Sequence, residues 1–212
     1  LVGIQTSVIA EEFFSGARHI ATIAGGQVVN KEMAPMNETP QQYIQRMLGQ
    51  VDGRHPLKVQ AATAKKIKTL IKGMSAAKLR KHPAPDKWSV TEIITHLLDS
   101  EIVGGYRMRM ILGAPGGPIP AFDQNAWVAA NHYDQRDAHQ SLAHFAAVRE
   151  ANLALLKTLT PEQWKHHGMH AERGQETIEH IARMYAGHDL NHLKQIQNIV
   201  APQIKASPRK SK

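Results

Sequence analysis

From Thr39 to about Val200 the apolar residues recur every three or four positions, and no run alternates as a half-buried strand requires. This spacing restricts the chain to helices packed on helices, an all-α class. A short introductory helix is expected at about residues 40–51, stopped by Asp52-Gly53 and Pro56. The next runs from about Leu57 to Gly73, with Val59, Ala62, Ala64, Ile67, Leu70 and Ile71 on one stripe and lysines on the other. Ser89 followed by Glu92 is a capping-box start for a helix that continues to about Ile111 through Gly104-Gly105. Further helices are expected over about 138–158, broken by Thr160-Pro161, and about 177–200, ending before Pro202. Residues 113–120 hold three Gly and three Pro without the Lys-Ser/Thr ending of a phosphate cradle, and read as a loop. Four long helices with a short extra one in front predict an antiparallel four-helix bundle.

The two ends differ from this middle. Glu11, Glu12, Arg18 and His19 interrupt the apolar pieces of the first 35 residues, and no basic segment precedes a continuous apolar one, so a secretory signal is not expected. The character changes at Met36, before Asn37-Glu38-Thr39-Pro40. Residues 1–35 are therefore expected to be a non-native or disordered extension, 36–200 the bundle and 201–212 a basic flexible tail. No window reaches the roughly 18 uninterrupted apolar residues of a membrane span, and a cytoplasmic location is expected. The formal charge of +8 raises the question of an acidic partner, but residues 58–87 alone carry +8 and the last twelve residues +4, leaving −4 elsewhere. Without interleaved aromatics, the basic stretch reads as a solvated helix face, and a nucleic-acid partner is not expected.

Composition points to chemistry at one place: there are 13 histidines and no cysteine. Disulfides, a cysteine nucleophile, thiolate zinc fingers and Cys-held iron–sulfur clusters are excluded, so any metal must be held by nitrogen and oxygen. His188 and His192, four residues apart, stack one helical turn apart and about 40° apart around the axis. Ile181 and Ile199 lie at about 20° from His188 and Tyr185 at about 60°, so both rings fall inside the apolar stripe and point inward. Such rings need partners. Two readings are open: core histidines satisfied by neighbouring carbonyls or carboxylates, or a metal-binding pair. The zinc-protease signature HExxH fails, because Asp189 stands where its general-base Glu is required. His96, at the edge of the apolar face of the Ser89 helix, is a third candidate that a facing helix can bring to the pair.

The segments Trp88-Ser89…His96-Leu97-Leu98-Asp99-Ser100-Glu101 and His188-Asp189-Leu190-Asn191-His192-Leu193-Lys194-Gln195-Ile196, about 90 residues apart, resemble the DinB-like (DinB/YfiT) superfamily over roughly Thr39 to Val200. The resemblance implies a four-helix bundle with a divalent-metal site and assigns its ligands to His96, His188 and His192. It also implies relatives that are metal-dependent transferases of low-molecular-weight thiols or hydrolases, and homodimers.

Three neutral imidazoles leave a divalent ion, Zn or Ni by expectation, with open positions for water, a thiolate or an oxygen ligand. Glu92 and Asp99, at about −40° and −60° from His96, and Gln195, about 20° from His188, are candidates to orient the ligands. Competing roles are helix capping for Glu92 and a solvated carboxylate for Asp99. His166, His167 and His170 either border the mouth of the site or are plain surface, the reading preferred here; His180 reads as peripheral, and Trp127 as a residue able to line an opening. The expected function is metal-dependent transfer to, or hydrolysis of, a small molecule, with a small-molecule thiol or an electrophile as partner. The alternative is a non-catalytic metal-binding bundle acting in stress response or protein interaction.

Overall fold

The computed structural model describes residues 38–205. The expected extension at 1–35, Met36 and the tail beyond Lys205 lie outside the described residues. Four long helices form the bundle: α2 (Pro56–Leu70), α4 (Val90–Gly113), α6 (Ala138–Leu156) and α8 (Ile178–Lys205). The introductory helix is α1 (Pro40–Gly49), and three short helices, α3 (Ala76–Arg80), α5 (Gln124–Ala130) and α7 (Pro161–Lys165), sit in the connections. No helix among the described residues is long and apolar enough to cross a membrane. The lysines of α2 face solvent, as the stripe pattern predicts.

The bundle is a square in which α4 packs on α6 and α8, and α2 on α8 and α6. Direction can be read from side-chain contacts. Thr95 meets Ser141, Glu101 meets Arg149, and Arg109 meets Asn152, so α4 and α6 run parallel. Gln60 donates to the Ala182 carbonyl and Thr63 to Asp189, so α2 and α8 run parallel too. His96 meets both His188 and His192 while Gly104, further along, meets Tyr185, so α4 and α8 are antiparallel. Two neighbouring contacts thus alternate in direction, and two do not. Parallel neighbours that follow one another in the chain need a long connection, which 114–137 supplies between α4 and α6; a second long segment, 157–177, crosses from α6 to α8.

Those connections carry what the helical spacing did not predict, a small sheet. β1 (Pro118–Ile119) pairs parallel with β2 (His167–His170), which pairs antiparallel with β3 (Gly174–Thr177). The strands are two and four residues long, too short to show alternation, and they lie in the connections between the long helices. Gly168 is required there: a Cβ would stand 2.7 Å from Ile119 Cγ2 and 2.9 Å from Ile111 Cγ1. The last helix also passes Pro202 instead of ending before it, which removes only one backbone donor near the helix end.

Local signals hold elsewhere. Ser89 Oγ accepts from the Glu92 amide at 3.3 Å while Glu92 Oε2 accepts from the Ser89 amide at 2.7 Å, the reciprocal cap expected at the start of α4. The Gly104-Gly105 pair is explained by close approach: a Cβ on Gly104 would lie 2.4 Å from the Tyr185 ring, and one on Gly105 would lie 2.4 Å from Asn152 Oδ1. α6 and α8 press against the bare backbone of α4 at these two points.

Two apolar clusters fill the bundle. One gathers Ile67, Trp88, Ile93, Leu97, Phe145 and Ile196, the other Met47, Met108, Ile111, Leu156, Ile178 and Ile181. Between them lies a buried polar group. Arg149 pairs with Asp189 at 2.5 Å and with Glu101 at 2.7 Å, and donates to the Gln60 carbonyl at 3.1 Å. Burial works against the guanidinium charge, but Asp189 and Glu101 more than offset it and hold the group firmly protonated. An Arg149→Met substitution leaves two carboxylates buried without a countercharge, and is expected to cost about 3–5 kcal/mol, read from the urea unfolding midpoint.

Candidate metal centre

The centre is built from one residue of α4 and two of α8. His96 is 2% exposed, His188 9% and His192 1%. Their Nε2 atoms converge: His96 to His188 at 3.0 Å, and His192 to His188 at 2.9 Å. One ring nitrogen from each lies within 4.8 Å of the others, a spacing that fits a single divalent ion with nitrogen ligands at about 2.0–2.1 Å. The open choice between satisfied core histidines and a ligand set is narrowed by this geometry. No carboxylate or carbonyl takes the inward nitrogens, which face one another instead.

The protonation state suits ligation. Burial pushes His96 and His188 well below the ordinary imidazole range, with the neighbouring rings adding to the effect. Burial likewise pushes His192 down to about 4, against the opposing pull of its hydrogen bond to Gln195. That bond also fixes the tautomer. Gln195 Oε1 lies 2.7 Å from His192 Nδ1, and a carbonyl oxygen only accepts, so Nδ1 carries the proton and Nε2 presents its lone pair inward.

Of the three residues considered for orienting the ligands, Gln195 is the one hydrogen-bonded to an imidazole of the centre. Glu92 caps α4 and lies 3.3 Å from His82 Nδ1, and Asp99 accepts from the Tyr133 hydroxyl at 2.5 Å. His96 Nδ1 has no hydrogen-bond partner, so neither acid holds this ring. Packing holds it instead, with the Trp88 ring centroid at 4.9 Å. Asp189, beside His188 in sequence, is turned away into the ion pair with Arg149 and is not available as a base at the centre.

A cavity of about 630 Å³ opens on His96 and His188. Its walls include Tyr185, which the helical pattern placed on the inward stripe, and Ser100, Arg107, Phe122 and His170, which that pattern did not single out. Ser100 Oγ, one turn beyond His96, lies 3.4 Å from His96 Nε2, and its i+4 spacing was the available signal. For His170 the preferred surface reading is corrected and the site-mouth reading holds: it lines the cavity and is 3% exposed, because β2 carries it beside β1. Phe122 lines the cavity, and Trp127 packs behind it with ring centroids 5.1 Å apart.

The sequence profile of the DinB superfamily matches residues 61–196, a span that takes in all three histidines. The chain belongs to this superfamily. Among DinB relatives, the YfiT protein of Bacillus subtilis is 26% identical over 63% of this chain and 76% of its own length. A Halalkalibacterium halodurans protein is 25% identical over 62% of this chain and 77% of its own. Both are provisionally named as metal-dependent hydrolases. The solved structure of B. subtilis YfiT superposes with a TM-score of 0.65 at 21% identity, covering 83% of this chain and 95% of that one. That likeness is one of fold, and the YfiT bundle topology is described as unusual.

Protonation of the cluster sets a pH dependence for the metal-free DinB bundle. Its imidazoles titrate below the ordinary value near 6.5, so the unfolded chain binds protons that the folded one refuses, and stability falls as pH drops. Urea unfolding of the metal-free protein is expected to show this loss from about pH 6.5 down towards His192's value of about 4. Each imidazole contributes up to about 1.4 kcal/mol per pH unit, and the slope is shallower in a His192→Gln variant.

Proposed function

We propose that this chain is a divalent-metal enzyme that activates a low-molecular-weight thiol or water for attack on a small electrophilic molecule, by transfer or hydrolysis. The observation that carries this reading is a cluster of three neutral imidazoles, two of which, His96 and His188, line a cavity large enough for a small molecule. A structural site closes its coordination with a fourth protein ligand, whereas three ligands beside a cavity leave positions open. A bound Zn or Ni ion supplies Lewis acidity that lowers the pKa of water or a thiol. The provisional hydrolase names of the relatives support the same class.

The residues divide the work. His96, His188 and His192 hold the ion, and Gln195 keeps His192 in the tautomer that ligates. Ser100 offers a hydroxyl beside His96 on the cavity side. Burial holds the Tyr185 phenol up at about 12, so it stays protonated as a hydrogen-bond donor on the wall. Since the chain has no cysteine, a thiol reaching the centre comes from a bound small molecule. A homodimer in the cytoplasm belongs to the same reading.

His188→Ala and His192→Ala are expected to remove stoichiometric metal, measured by elemental analysis, while circular dichroism stays helical. Turnover in a screen of thiols with electrophiles and of ester and amide hydrolysis is expected to fall at least a hundredfold in the same variants. Metal binding without turnover in any pairing would favour the non-catalytic bundle. Gln195→Leu is expected to weaken metal affinity about 10–100-fold, read by competition with a chelating dye.

A further inference from the structure

Arg107 and His170 meet on the cavity wall with a conflict that their own hydrogen bonds leave standing. Arg107 is 2% exposed, and its Nε and Nη2 donate to the Pro120 carbonyl at 2.9 and 2.6 Å. Among the described residues no carboxylate pairs with it, whereas Arg173, nearby on the wall, is held by both oxygens of Glu176. A buried guanidinium without a counterion is costly. His170 adds the second half. Its Nδ1 accepts from the Glu172 amide at 3.2 Å, so the neutral ring carries its proton on Nε2, and Nε2 lies 3.3 Å from Arg107 Nη2. Two donors therefore face each other in a buried wall with no acceptor between them.

We propose that this pair is the seat of an oxyanion, a carboxylate or phosphate group carried by the small molecule whose other end reaches the histidine cluster. An oxyanion accepts from both donors at once and supplies the charge that Arg107 lacks. The Tyr185 hydroxyl oxygen accepts from Arg107, which leaves its own proton to donate to the anion. The acids nearby are otherwise placed: Glu176 acts on Arg107 only through space and gives both oxygens to Arg173, Asp123 caps α5, Glu38 pairs with Arg46, and Glu172 is exposed at the rim. Arg107 lies eleven residues beyond His96 on α4, about 20° around the axis and about 16 Å along it. The two ends of the cavity are thus carried by one face of one helix. Between them Tyr185 lies on Gly104, so the floor of the cavity follows α4 from imidazole to guanidinium. The role of the cluster end rests on the metal-enzyme reading. The anion seat itself does not.

The test is titration calorimetry of the full chain with succinate and, separately, methyl phosphate. Saturable one-to-one binding of at least one is expected, and which one binds identifies the group. Arg107→Met should weaken it at least tenfold, Arg107→Lys by less, and His170→Leu at least fivefold. His170→Gln, whose amide nitrogen donates from a similar place, should restore most of the loss. Circular dichroism checks that each variant is folded. The His188→Ala variant should keep the anion while losing metal, which separates failure of this proposal from failure of the metal assignment. The proposal is overturned if neither anion saturates the wild type, or if a folded Arg107→Met or His170→Leu variant binds as the wild type does.

Discussion

One guanidinium ties the four long helices to one another. Arg149 projects from α6, pairs with Glu101 of α4 and Asp189 of α8, and donates to a carbonyl of α2. Thr63 of α2 closes the set by donating to the same Asp189. Buried ion pairs add little net stability against an apolar alternative, but they tolerate few arrangements, since a misplaced charge in a dry core is expensive. The polar group therefore fixes how each helix is rotated. Asp189 sits about 100° around α8 from His188. Turning Asp189 towards Arg149 leaves His188 and His192 facing α4, where His96 waits. The histidine cluster owes its aim to an ion pair that it does not touch.

The connections complete what the helices begin. Because α4 and α6 run in the same direction, the chain must travel back along the bundle between them, and it does so through β1 and α5. The segment before α8 returns through β2 and β3 and pairs with β1. These two long excursions cover one end of the bundle and form the wall of the cavity opposite the histidines. A bundle of strictly alternating helices with tight turns would have had the same apolar core and no such wall.

Much of this was legible in the residues, and the limit falls where contacts cease to be local. Helix spacing, the Ser89–Glu92 cap and the inward direction of His188 and His192 all follow from interactions within four residues, and all stand in the structure. Gln195 could be placed near the cluster for the same reason, being three residues from His192. Glu92 and Asp99 shared a face with His96 but were claimed by the cap and by Tyr133, and the second of these partners lies 34 residues away. His170 and Arg107 carry no local signal at all: their encounter depends on a parallel strand pair joining segments about fifty residues apart. Which neighbours in the bundle run parallel was equally out of reach, since an apolar stripe reads the same from either end.

The glycine pair in α4 has a consequence for how the parts come together. Two adjacent glycines in a helix interior cost about 1 kcal/mol each relative to alanine, so this stretch of α4 has little tendency to be helical alone. It becomes so where Tyr185 and Asn152 lie against it. His188 and His192, by contrast, are neighbours on a single helix and meet as soon as α8 coils. Assembly of the cluster is therefore asymmetric: two imidazoles are paired by local structure, and the third arrives only with the docking of a helix that its partners must help to form.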